Sequence, residues 1–203
     1  MKLRTVSRWS VLAVIVAVGL FIAVRGFMDG PKQTLLQGTD LLGVSAPDFT
    51  LVDQSGQQVS LKQFRGRPVV LAFMFTHCTD ICPLNAEKMH GAATNLGNDA
   101  AGKVAWLAVS VDPKNDTPDS ATKFAADHGL TGKLRYLMGS EDQLVPTWRA
   151  YHLIDSNAPP PSDPTIHYGG VYVIDSEGRE RVLMSDNFSP SQLADNLRLL
   201  GAG

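Results

Sequence analysis

Residues 68–75 (PVVLAFMF) constrain this chain more than any other stretch. The run carries no charged or hydrogen-bonding side chain and is rich in β-branched and aromatic residues. A strand that is apolar on both faces has to be covered on both faces, so the run predicts a central strand with layers on either side. Residues 104–111 (VAWLAVSV) predict a second strand of the same kind. Helix signals alternate with these strands. Met89, Ala92, Ala93 and Leu96 recur at the spacing of one helix face over 84–97, and Gly97 closes that helix. Asp116-Thr117-Pro118 is a cap followed by proline at an early helical position, which predicts a helix to about His128. Further along, 135–138 reads as a short strand, 141–151 as a helix whose start Pro146 leaves open, and 154–165 as a loop holding NAPPPSDP. A hairpin of 171–175 and 181–184 turns at Ser176-Glu177-Gly178, and Ser189-Pro190 opens a last helix that ends near Leu200. Ahead of all this, 46–61 (APDFTLVDQSGQQVSL) predicts another hairpin around Asp53-Gln54-Ser55-Gly56, and 61–64 (LKQF) a helical turn.

The chain has 203 residues, enough for one well-buried domain and too few for two large ones. Its formal net charge is −2 and no basic stripe stands out, which argues against a nucleic-acid partner. The N-terminus is a different material. Residues 1–8 carry Lys2, Arg4 and Arg8, and 9–24 (WSVLAVIVAVGLFIAV) run without a charge. Arg25 can snorkel, so that Phe27 and Met28 extend the run toward the roughly 20 residues a membrane span needs. The pattern predicts a cytoplasmic basic segment at 1–8, a transmembrane anchor at 9–28, a polar linker at 29–43 and an extracytoplasmic domain at 44–200. The other reading is a cleaved signal peptide, although Val24-Arg25-Gly26 is a poor small-x-small site. In either case the domain lies where thiols are exposed to oxidation.

Both cysteines of the chain, Cys78 and Cys82, lie in 75–85 (FTHCTDICPLN), directly after the predicted buried strand. A three-layer α/β domain with a dithiol where a strand runs into a helix has the layout of a thioredoxin-like fold. A purely structural disulfide is disfavoured, because the gain grows with the loop closed and this loop has three residues. Pro83 lacks an amide donor and fits only the first helical turn, which puts Cys82 in that turn and Cys78 in the loop before it. Asp80 or Thr79 can cap the start, and the helix N-terminus favours thiolate. Two thiolates so spaced can close a disulfide or share one ion. Thioredoxin-type oxidoreductases place two residues between their cysteines; the third here leaves room for a metal. Soft sulfur selects Cu(I), whereas a zinc site usually needs four ligands and no fourth is evident. A peroxidase is disfavoured, because Phe75 stands where its motif requires threonine.

Of the five histidines, His90 lies two turns beyond Cys82, roughly 12 Å along the axis, and reads as a solvated helix residue. His128 closes a helix beside Gly129, where a cation suits the dipole. His152 follows a helix, and His77 adjoins Cys78 but as a chain neighbour points elsewhere. His167 ends the long loop just before the strand GGVYVID, and in a thioredoxin-like layout that loop faces the dithiol. It reads either as a third ligand or as a loop histidine bonded to backbone.

FTHCTDICP, SVDPKNDTPD (110–119) and IHYGGVYVIDSEG together resemble the Sco (SenC) family of copper-binding proteins for cytochrome c oxidase assembly, over about 44–200. The resemblance implies a bacterial inner-membrane protein with a single span and a periplasmic domain. It implies that Cys78, Cys82 and His167 ligate a copper ion, Cu(I) or Cu(II). Asp112, and His77 beside the dithiol, stand as outer residues of the site, with Asp112 read equally as a turn residue before Pro113. The implied partners are the copper-bearing subunit of the oxidase and other copper chaperones or thiol reductants. The residue after His167 is Tyr168, where the family usually has a small hydroxyl residue. Two further readings stay open: a thiol–disulfide oxidoreductase acting on oxidase cysteines, and a redox or copper sensor.

Overall fold

The computed structural model describes residues 17–19, 35–155, 157 and 170–203. The expected anchor at 9–28 falls outside them except for a helical stretch at 17–19. Among the described residues no helix is long and apolar enough to cross a membrane. Leu36–Gly203 forms a compact unit.

That unit is built on one eight-stranded sheet. In chain order the strands are β1 (Thr39–Asp40), β2 (Thr50–Asp53), β3 (Gln58–Ser60), β4 (Val69–Met74), β5 (Ala105–Ser110), β6 (Leu134–Met138), β7 (Gly170–Ile174) and β8 (Glu180–Ser185). Their spatial order is β1-β8-β7-β4-β5-β6-β2-β3. β4, β5 and β6 run parallel, and the neighbours outside them are antiparallel. The helices are α1 (Ile81–Leu96), α2 (Asn98–Gly102), α3 (Pro118–Asp127), α4 (Glu141–Ala150) and α5 (Pro190–Leu197), with a 3-10 turn at Leu61–Phe64 and a π-type turn at Arg198–Ala202.

β4 is buried at every position, as its run of apolar residues requires. Its alternate side chains feed two separate cores. Val70, Ala72 and Met74 join the inner faces of α1, α3 and α5. Val69, Leu71 and Phe73 join α4, the 3-10 turn and the inner residues of the β2–β3 hairpin. The result is a three-layer sandwich of the thioredoxin-like kind. α1 and α5 pack closely on one face because Gly91 has no side chain: a Cβ there would stand 2.9 Å from Pro190 Cβ. Gly170 is needed at the entry of β7 for the same reason, since its Cβ would lie 2.5 Å from the Met184 carbonyl oxygen.

Both expected hairpins form, and the expected caps at Thr117 and Ser189 close complete capping boxes with Ser120 and Gln192. α4 starts at Glu141, as expected, with Pro146 inside it. β1 lies in the stretch read as linker and pairs with β8. α2 follows Gly97, where the sequence signalled only a helix end.

Candidate functional site

The C-terminal ends of the parallel strands β4 and β5 carry the candidate site, the usual place for one in such sheets. β4 ends at Met74, the chain turns through residues 75–80, and α1 starts at Ile81, with Cys82 and Pro83 in its first turn as the proline predicted; the apolar spacing alone marked the helix only from residue 84. Neither Thr79 nor Asp80 caps this start through its side chain; Asp80 occupies the cap position without a side-chain bond to the helix. The Cys82 amide instead donates to Cys78 Sγ at 3.4 Å, so the first cysteine serves as the acceptor that a capping oxygen would supply. Cys82 thus stands in the first turn and Cys78 just before it.

Both thiols are free and buried, with 7% of Cys78 and 3% of Cys82 exposed. Burial pushes the Cys82 thiol well above its ordinary range. Its hydrogen bond to Cys78 and the nearness of Cys78 and Asp116 add to this, and a backbone hydrogen bond at Phe75 opposes it. At Cys82 burial thus works against the thiolate that the helix terminus is expected to favour. Cys78 also lines a cleft of about 300 Å³, walled by Thr76, His77 and Pro83 on one side and Phe124 and His128 on the other.

Of the outer candidates, His77 is exposed and its Nδ1 lies 3.1 Å from Thr76 Oγ1. Asp112 is buried, and its carboxylate accepts from Asn115 Nδ2 at 2.8 Å within its own turn. His167 lies outside the described residues. Among those described, no three His, Cys, Asp or Glu side chains gather into a group able to hold a metal. Of the remaining histidines, His128 shares the cleft that Cys78 lines. His90 is not merely solvated, because its Nδ1 lies 2.9 Å from the Gly129 carbonyl oxygen. His128 packs its ring 4.6 Å from that of Phe124 at the end of α3, and His152 is exposed with a φ of 59°.

Two residues that the sequence did not single out for the site adjoin it. Asp116, read only as part of a helix cap, accepts from Thr76 N at 2.8 Å, Ser110 Oγ at 2.6 Å and Tyr136 OH at 3.1 Å. Its partners are 6 to 40 residues away in sequence, so no local signal marks it. Asn85 is 1% exposed and shares the inner face of α1 with Cys82 and Met89; its side-chain oxygen meets no hydrogen-bond donor.

A three-layer sandwich with two free thiols where its central strand enters a helix defines a thioredoxin-like dithiol protein. A family model described as SCO1/SenC matches residues 40–200, and the chain belongs to that family. Protein SenC of Rhodobacter capsulatus is 27% identical over 207 residues, covering 96% of this chain and 89% of that protein. The mitochondrial Protein SCO2 homolog of Bos taurus is 29% identical over 185 residues, covering 89% and 69% respectively. Among solved structures, Bradyrhizobium japonicum ScoI with copper bound aligns with a TM-score of 0.64 at 25% identity, over 77% of this chain and 99% of that one.

Proposed function

We propose that this chain is a membrane-anchored, extracytoplasmic copper chaperone that serves the binuclear copper centre of cytochrome c oxidase during assembly. Cys78, Cys82 and His167 hold the ion, and the copper-bearing subunit of the oxidase receives it. The observation that carries this reading is the pair of free, buried cysteines at the end of β4, linked by the Cys82 amide donating to Cys78 Sγ, in a chain of the SCO1/SenC family. The donor chemistry fits the cargo. Two soft sulfurs suit Cu(I), and an imidazole completes a site for either oxidation state. Copper in the related ScoI structure supports the same assignment. Both sulfurs bind as thiolates, so protons leave as the ion enters. A coordination number this low leaves an opening at which the thiols of a partner displace the ligands in turn. Oxidation to a Cys78–Cys82 disulfide removes the donors, so the cycle requires a thiol reductant upstream.

A second reading is favoured by one feature. Cys78, and not Cys82, lines the open cleft, which is the asymmetry of a thiol–disulfide reductase with one attacking and one sheltered sulfur. In that role the protein keeps the oxidase cysteines reduced.

Anaerobic copper titration of the full chain in detergent tests the first reading. One copper per chain with thiolate-to-copper absorption is expected, weakened in His167→Ala. Failure of the reduced wild type to hold copper against a modest competitor overturns the chaperone role and leaves the reductase. Full oxidase assembly in cells carrying Cys78→Ser removes both.

A further inference from the structure

Asp116 is a buried carboxylate that the proposed copper site does not use. It is 9% exposed, and such a group is costly to bury unless its oxygens are bonded. Three donors reach it from three neighbouring strands. Ser110, the last residue of β5, donates its hydroxyl to Oδ2; Tyr136 in β6 donates its hydroxyl to the same oxygen; Thr76, just past β4, donates its backbone N–H to Oδ1. One side chain thus ties the C-terminal ends of β4 and β5 to the middle of β6, and its hold on the β4 side falls two residues before Cys78. A second link runs in parallel: Thr76 Oγ1 donates to Ser120 Oγ at 3.0 Å, and Ser120 belongs to the capping box of α3. Asp116 is itself fixed by its own amide, which donates to the Asp112 carbonyl at 2.9 Å. Asp112, by contrast, spends its carboxylate on Asn115.

We infer that Asp116 is the positioning residue of the dithiol: by holding the Thr76 amide it sets the loop 75–80 so that Cys78 Sγ meets the first turn of α1. The inference rests on the reading of Cys78 and Cys82 as the functional pair. Geometry separates this role from charge. Asparagine at 116 keeps an oxygen for Thr76 N–H and can turn its amide N–H₂ toward Ser110, so Asp116→Asn retains the tether and removes the charge. Asp116→Ala removes both. Tyr136→Phe removes one bond at the far oxygen and leaves Thr76 held.

Amide hydrogen exchange on the reduced, metal-free full chain in detergent, followed by Cu(I) competition on the same samples, tests this. In Asp116→Ala, exchange at Thr76 and Cys78 accelerates about tenfold relative to core amides of β4 and α1, the loss expected for one charge-assisted hydrogen bond. Copper retention falls by about the same factor. Asp116→Asn restores both to within about threefold, and Tyr136→Phe leaves both at wild-type values while lowering Tm. Unchanged protection of Thr76 and Cys78 in Asp116→Ala overturns the inference, as does acceleration spread evenly through β4, β5 and α1. An equal effect of Tyr136→Phe on the dithiol overturns it too. Loss of copper by the wild type as well would refute the chaperone reading alone, and the exchange pattern then decides the role of Asp116.

Discussion

The two faces of the sheet are packed with different materials. The face away from the dithiol is aromatic: Phe73, Tyr151 and Tyr172 meet with ring centroids 5.2–6.1 Å apart, two of the three contacts edge-on. Its hydroxyls are spent on backbone, Tyr172 on the Tyr151 carbonyl at 2.7 Å and Tyr151 on that of Pro47 at 2.8 Å. The dithiol face also holds aromatic residues, Trp106, Phe124 and Tyr136 among them, but its three helices contribute many small residues to the core, Ala86, Ala92, Ala93, Ala121, Ala125 and Ala194. The large rings supply area and a rigid backing. The alanines let the helices approach closely enough for Cys78 and Cys82 to enter a hydrophobic core. One strand serves both needs, because neighbouring residues of β4 point opposite ways.

Substitutions on either face can break this division of labour or sharpen it. The largest expected effect is from Phe73→Ala, which empties the middle of the aromatic group: about 3–5 kcal/mol of stability lost by denaturant titration. Copper retention by the molecules that remain folded stays at the wild-type value, and an equal loss of retention would show that the faces are not independent. Ala86→Leu overfills the opposite face beside Cys82, at about 1–3 kcal/mol. Here copper retention falls with stability, and a variant that keeps full retention would remove the tight-packing argument. Asp53→Asn tests a carboxylate remote from the thiols. Burial alone would raise the Asp53 carboxyl, but hydrogen bonds from Ser55 and Gln57, with Arg135 nearby, outweigh it and hold the group below its usual range. Its contribution is therefore present above the ordinary carboxylate pKa and is lost as pH falls through the lower folded value. The variant is expected to be about 1–2 kcal/mol less stable at neutral pH and to converge with the wild type in acid. The smallest effect belongs to Lys123→Ala, which removes an exposed i,i+4 pair with Asp127 on the cleft wall: less than about 0.5 kcal/mol in thermal melts.

The sequence disclosed features that are local. The β2–β3 hairpin follows from Asp53 to Gly56, the buried strands from unbroken apolar runs, and α3 and α5 from hydroxyl–proline openings. Features fixed by distant partners were hidden. β1 is two residues of unremarkable polarity that exist as a strand only because β8 offers them an edge. At α1 Pro83 marked the first turn, but the acceptor at its cap is the Cys78 sulfur, a role that ordinary capping preferences do not anticipate. Asp116 showed its place in a cap motif, whereas its grip on Thr76, Ser110 and Tyr136 needed the assembled sheet. The dithiol itself was plain in CxxxCP, but its depth was not. The charge-stabilising helix terminus read from Pro83 is opposed at Cys82 by the exclusion of water.

The width of the sheet has a further consequence, for encounters between copies of the protein. Eight strands side by side would ordinarily leave two long rows of unpaired backbone groups, each a template for another chain. Among the described residues the outermost strands are β1, with two residues, and β3, with three. A colliding molecule finds almost no ladder to extend. The sheet ends as it does, with stubs in place of full strands, and that is a defence against intermolecular pairing.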